Sequence, residues 1–157
     1  VDKTIDGGFI FAGEKDAFPE VSDAMLIKTD PLGEPVWEKD YGTLLDDKLY
    51  SIKATEDGDF VASGTVYFGI QDVAGWLLKI DAYGDSLWSK FYGDIKQDLL
   101  FAVAPTSDGG YILSGGFRVP STFDYDFWLI KTDSSGSEQW SKTLDYDNDT
   151  DINTDHD

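Results

Sequence analysis

Six aspartates near the end of the chain stand at alternate positions: Asp145, Asp147, Asp149, Asp151, Asp155 and Asp157, with Asn153 filling the one gap. In an extended strand alternate side chains share a face, which would line up carboxylates about 7 Å apart. Such a row is costly unless a cation or solvent screens it. Oxygen-only ligands of this kind suit Ca²⁺, so Asp145, Asp147, Asp149, Asp151 and Asp155 are the candidate metal ligands. The Asp-x-Asp-x-Asp run resembles the opening of a calcium loop. It departs from one at the sixth position, where Ile152 or Thr150 stands in place of glycine, and no glutamate sits at position twelve. The alternative is a solvated acidic linker. Asn148-Asp149-Thr150 also forms an N-glycosylation triplet.

Other catalytic chemistry finds little support. The single histidine is His156, in the same tail. No cysteine is present, which removes disulfides, thiolate zinc sites and cysteine nucleophiles together. With 31 acidic residues, 25 of them aspartate, spacing cannot single out a carboxylate pair for acid–base work. The net charge of −19 repels nucleic acid and anionic membrane surfaces, and favours cations and cationic partners. No apolar run reaches the roughly 20 residues that span a bilayer. The apolar share of 41% and aromatic share of 15% suffice for a packed core in the 157 residues.

The elements that must position these groups are set by a repeat. Thr4-Ile5-Asp6-Gly7-Gly8-Phe9 recurs as Thr55-Glu56-Asp57-Gly58-Asp59-Phe60 and Thr106-Ser107-Asp108-Gly109-Gly110-Tyr111, 51 residues apart. Gly13, Gly64 and Gly115 follow at one offset, then Lys28, Lys79 and Lys131, then Trp37, Trp88 and Trp140. Each repeat reads as four short strands separated by Asp-Gly turns, with no helical periodicity. The strands are expected near 8–13, 24–30 and 35–41, then 49–54, 60–67, 76–81 and 86–92, then 99–105, 110–116, 126–132 and 138–144. Gly64 reads as a bulge or close-packing point, and Gly13 and Gly115 are the structural glycines at the same offset. The expected fold is all-β, a β-propeller-like array of three four-stranded antiparallel blades that does not close on its own. Blade 1 spans 1–46 with its first strand truncated, blade 2 spans 47–97, blade 3 spans 98–144, and 145–157 is the Asp-rich tail. Since rings close with about four to eight blades, the reading expects a fragment of a longer propeller or self-association, with two copies able to form a six-bladed ring.

The string Asp-x-x-Gly-x-x-x-Trp, at Asp30/Gly33/Trp37, Asp81/Gly84/Trp88 and Asp133/Gly136/Trp140, resembles the tryptophan-docking repeat of quinoprotein-type propellers. The whole unit, from Asp-Gly-Gly-Tyr-Ile-Leu-x-Gly through Trp-Leu-Ile-Lys-Thr-Asp to Gly-x-x-x-Trp-Ser-Lys, is similar to repeats of bacterial and archaeal cell-surface and lipoprotein β-propellers. The resemblance implies tryptophans packed between blades and an extracellular or envelope location. A pyrroloquinoline quinone enzyme would need a cofactor site supplied from outside the repeat, and no residue stands out in that way. The expected role is therefore non-catalytic, a surface module for protein interaction or self-assembly.

The stretches between second and third strands differ most between copies: 14–22, 68–74 and 117–125. Their aromatic and guanidinium groups, Phe18, Tyr67, Phe68, Phe117, Arg118, Phe123 and Tyr125, are of the type that anchors interfaces or stacks on sugars. A carbohydrate- or peptide-binding propeller is thus the alternative role, and an accessory propeller of a larger secreted enzyme another. Lys28, Lys79 and Lys131 read as strand-end lysines paired with the aspartate two residues on. The competing reading of these lysines is a ring of charges around a channel.

Overall fold

The computed structural model describes residues 1–17, 21–69, 72–93, 97–119 and 124–144. Every regular element among them is a β-strand. Three antiparallel meanders of four strands follow one another along the chain. The first holds β1 (Asp2–Lys3), β2 (Phe9–Ala17), β3 (Val21–Thr29) and β4 (Pro35–Tyr41). The second holds β5 (Lys48–Ala54), β6 (Phe60–Tyr67), β7 (Val73–Ile80) and β8 (Ser86–Tyr92). The third holds β9 (Leu99–Pro105), β10 (Tyr111–Arg118), β11 (Tyr125–Thr132) and β12 (Glu138–Leu144). None of the sheets closes into a barrel, and they stack face to face as successive blades.

The turns follow from local chemistry. In the β3–β4 turn, Asp30 Oδ1 accepts the N–H groups of Leu32 and Glu34, at 2.8 and 3.0 Å, and Gly33 takes a positive φ of 86° that other residues avoid. The equivalent turns at Asp81 and Asp133 are built the same way.

Alternation along the strands then gives each blade two apolar faces. Blade 1 meets blade 2 through Ile10, Ala24 and Leu26, which pack on Leu49, Ile52, Phe60, Ala62, Trp76, Leu78 and Ile80. Blade 2 meets blade 3 through Val61, Leu77 and Tyr92, which pack on Leu100, Val103, Tyr111, Leu113, Trp128 and Ile130. The core is therefore two slabs between blades. β7 contributes to both slabs and is buried from end to end, which is why Trp76-Leu77-Leu78 reads as an unbroken apolar run.

Three expectations are corrected. The variable stretches are shorter than the sequence suggests: β2 and β3 stay paired out to Ala17↔Val21, and β10 and β11 out to Arg118↔Tyr125. Backbone pairing carries a hairpin past the point where side-chain alternation fades, so Phe117, Arg118 and Tyr125 are strand residues. Lys28, Lys79 and Lys131 are not exposed strand ends; their stems are buried and their partners lie across the hairpin. The three tryptophans are also not equally buried between blades. Trp37 and Trp88 are half-buried against the slabs, whereas Trp140, with no blade beyond it among the described residues, is 43% exposed.

Candidate functional site

Within each blade a lysine latches the first hairpin turn. Lys28 Nζ donates to Asp6 Oδ2 at 2.5 Å, Lys79 to Asp57 at 3.1 Å, and Lys131 bonds Asp108, with its closest oxygen at 2.8 Å. The threonine that opens each turn donates its hydroxyl to the same aspartate. Lysine stems lie along apolar surface while the ammonium reaches an acceptor at the rim. The hydrogen bond from Lys28, then that from Thr4, holds the Asp6 carboxyl down at about 2. Asp108 is lowered by the same contacts from Lys131 and Thr106. For Asp57, burial pulls upward and is outweighed by hydrogen bonds from Thr55 and Lys79. All three lysines engage the aspartate of the same turn, so the latch is scaffold.

Between blades a second device recurs, one that sequence reasoning missed. Asp47 and Asp98 are fully buried. The Asp47 N–H donates to the Ser22 carbonyl of blade 1, while its carboxylate accepts the N–H of Tyr67 in blade 2 at 2.9 Å and that of Thr43. Asp98 likewise donates to the Val73 carbonyl and accepts the Arg118 N–H at 2.9 Å. Backbone N–H groups thus reach into the sealed joint and satisfy oxygens of each buried carboxylate. Each of these aspartates therefore staples one blade to the next. Gly42 and Gly93, at φ 128° and 95°, make room: a Cβ on either would lie 2.2 Å from the staple's Oδ2. The signal was present as two aspartates one repeat apart, hidden among so many others.

The outer strand completes the joint. Trp37 Nε1 donates to the Ala82 carbonyl at 3.3 Å, Lys39 to Asp85 at 2.5 Å, and the Tyr41 hydroxyl to the Gly84 carbonyl at 2.7 Å. Tyr92 donates to the Gly136 carbonyl at 2.6 Å in the same way. The glycines at these turns are docking surfaces: a Cβ on Gly84 or Gly136 would meet the Trp37 or Trp88 ring at 3.2 or 2.9 Å. Burial, more than the nearby acidic groups, keeps the Tyr41 and Tyr92 hydroxyls protonated far above their usual range, so each remains a donor.

Of the proposed binding residues, Phe117 packs against the second slab with its ring 5.8 Å from that of Trp128. Arg118 Nη1 donates to Gln97 Oε1 at 2.6 Å. Phe68 stands edge-on to Phe91 at 5.2 Å, with half its surface open to solvent. Burial first, with the nearby Tyr125 among the smaller causes, pushes the Tyr67 phenol up. Phe18, Phe123 and the candidate calcium ligands Asp145, Asp147, Asp149, Asp151 and Asp155 fall outside the described residues. Gly64 and Gly115 are close-approach points: a Cβ on either would sit 1.8 Å from a carbonyl oxygen of the neighbouring first strand, whereas Gly13 has open space. Among the described residues no group of three or more acidic or histidine side chains is placed to hold a metal ion.

The chain matches no protein-family model, and no curated protein resembles it significantly.

Proposed function

We propose that this chain is a non-catalytic β-propeller repeat module of an extracellular or cell-surface protein, acting through interaction between blade faces. One observation carries the reading: positions buried or half-buried at the inner joints are more exposed at the two ends of the array. On the leading face Phe60, Ala62, Leu78 and their counterparts Tyr111, Leu113 and Ile130 are buried, while Phe11 of blade 1 is exposed. On the trailing face Tyr92 is buried and Tyr41, Trp37 and Trp88 are half-buried, while their counterparts Leu144 and Trp140 of blade 3 are exposed, as is Phe127 at the place of the buried Ala24. Apolar surface concentrated on a face built for packing marks an interaction site.

The occupant proposed is another blade of the same type, from a second copy head to tail or from further blades of a longer chain, because the leading and trailing faces already fit each other within the described blades. Two different faces make the contact heterologous, so it closes a ring or runs on as a filament. The end joint differs from the inner ones in detail. Phe127 stands where Ala24 and Gly75 stand, and Leu144 takes the place of the bonding tyrosines. The propeller repeat type, the surface location and calcium binding at the Asp-rich tail belong to the same proposal, supported by the resemblance and the charge pattern.

Light scattering on the purified chain tests it. A mass of two or more protomers, lost on Trp140→Asp and equally on Phe11→Asp, is the expected result. A folded monomer at high micromolar concentration overturns head-to-tail assembly. Parallel runs with calcium and with chelator test the tail: a calcium-dependent mass or melting temperature supports the site, and identical behaviour removes it.

A further inference from the structure

The first strands carry a feature that neither latch, staple nor joint uses. Tyr50 and Phe101 occupy the same repeat position, and each is the extra residue of a β-bulge: pairing with the second strand skips from Leu49 to Ser51, and from Leu100 to Ala102. A bulge re-aims a side chain. Here both rings turn to solvent, 47% and 48% exposed, with centroids 5.7 Å apart. Gly64 and Gly115 accommodate the bulges, since any Cβ there would strike the Lys48 or Leu99 carbonyl. The two rings are thus presented from rigid strands.

Around this pair stand polar groups written only once. Lys48 bonds Glu14 of blade 1 at 2.6 Å. Tyr67 keeps its proton above the ordinary range because of burial first, then the neighbouring Tyr50 phenol, with Lys48 opposing and Asp46 and Tyr125 adding to the effect. At equivalent offsets the other blades carry Thr65 and Gly116 for Glu14, Leu99 for Lys48, Arg118 for Tyr67 and Val73 for Tyr125. Residues repeated in every blade serve the scaffold. The rings recur, but the polar groups beside them are drawn from three blades and each stands once among the described residues, which is the pattern of a ligand site.

We propose that Tyr50 and Phe101, with Tyr67, Tyr125 and the Lys48–Glu14 pair, bind a neutral saccharide. A pyranose offers a C–H-rich face to the negative face of an aromatic ring. Its rim of hydroxyls both donates and accepts, as phenols do, while lysine only donates and a carboxylate only accepts. The net charge of −19 disfavours anionic ligands. A proline-rich peptide would use the rings and leave most of the polar rim unused. The proposal is independent of head-to-tail assembly, because Tyr50 and Phe101 lie on neither end face.

Calorimetric titration with cellohexaose, chitohexaose, xylohexaose and mannohexaose, and separately with decaproline, tests it. One or more hexasaccharides should bind. Tyr50→Ala and Phe101→Ala should each weaken that binding by about tenfold, with melting temperature and solution mass unchanged. Phe101→Tyr should retain it, and Tyr67→Phe, which removes only a hydroxyl, should weaken it less. Silence from all four sugars, sugar binding that survives both alanine variants, or ring-dependent binding of decaproline alone would each overturn the proposal.

Discussion

Trp88 and Trp140 hold the same place in the repeat, each followed by Ser-Lys, and they live in different surroundings. Trp88 is half-buried, its ring 6.0 Å from Tyr111 of the next blade and seated on Gly136. Four residues on, Tyr92 closes the joint with its hydrogen bond to the Gly136 carbonyl. Trp140 stands 43% exposed, and Leu144, where the tyrosine would be, is 52% exposed. The inner joint and the outer face of blade 3 thus share a sequence template and differ in whether a second surface is present. A blade carries half of each joint. The other half, including the glycine turn that receives the tryptophan, belongs to its neighbour.

The sharpest way to break this comparison is at that glycine. Gly136→Ala should destabilise by about 3 kcal/mol, combining the left-handed backbone penalty with overpacking against Trp88. Gly33→Ala, at the same turn of blade 1 with nothing within 4 Å of its Cβ position, should cost only the backbone term of about 1 kcal/mol. Urea unfolding of both variants gives the difference directly, and equal losses would mean the turn is not a docking surface.

Next is the tryptophan pair. Trp88→Ala should cost about 2–3 kcal/mol, below the full value for a wholly buried ring. Trp140→Ala should stay within about 0.5 kcal/mol when measured on the dilute monomer. A large loss at Trp140 under those conditions would show that its face is already covered.

The smallest effect sharpens the contrast by ignoring it. The Lys–Asp latches lie inside blades, so they should respond to acid alike at inner and outer positions. Asp6 is held at about 2, below its ordinary 3.8. It therefore favours the folded state above pH ~4, and this contribution is lost as pH falls through the folded value. Thermal unfolding between pH 5 and 2 should show melting temperature falling across that window, with a shallower fall for Asp6→Asn. A slope unchanged by the substitution would refute the latch as an acid-sensitive contact.

Much of the scaffold was legible because it rests on local rules. The second strand of blade 2, at 60–67, and the fourth strands of all three blades coincide with the expected ranges, since Asp-Gly turns of defined geometry bound them. The staples were not legible. Asp47 and Asp98 are ordinary letters in a chain with 25 aspartates, and their roles depend on backbone donors about 20 residues away. The lysine latches were assigned to the nearest aspartate in sequence, whereas the hairpin brings in one 22 or 23 residues earlier. The aromatic pair at Tyr50 and Phe101 escaped notice because a bulge overrides the alternation from which facing is read.

By itself the sequence determined the repeat, the all-β class, the turn positions and the acidic character, because each depends on short-range backbone preferences, periodicity or composition. Only the tertiary structure decided which copy of a repeated residue is buried, which aspartate meets a lysine and which is sealed between blades, and which aromatic rings face solvent. Those outcomes depend on surfaces brought together from distant parts of the chain, where identical residues meet different neighbours.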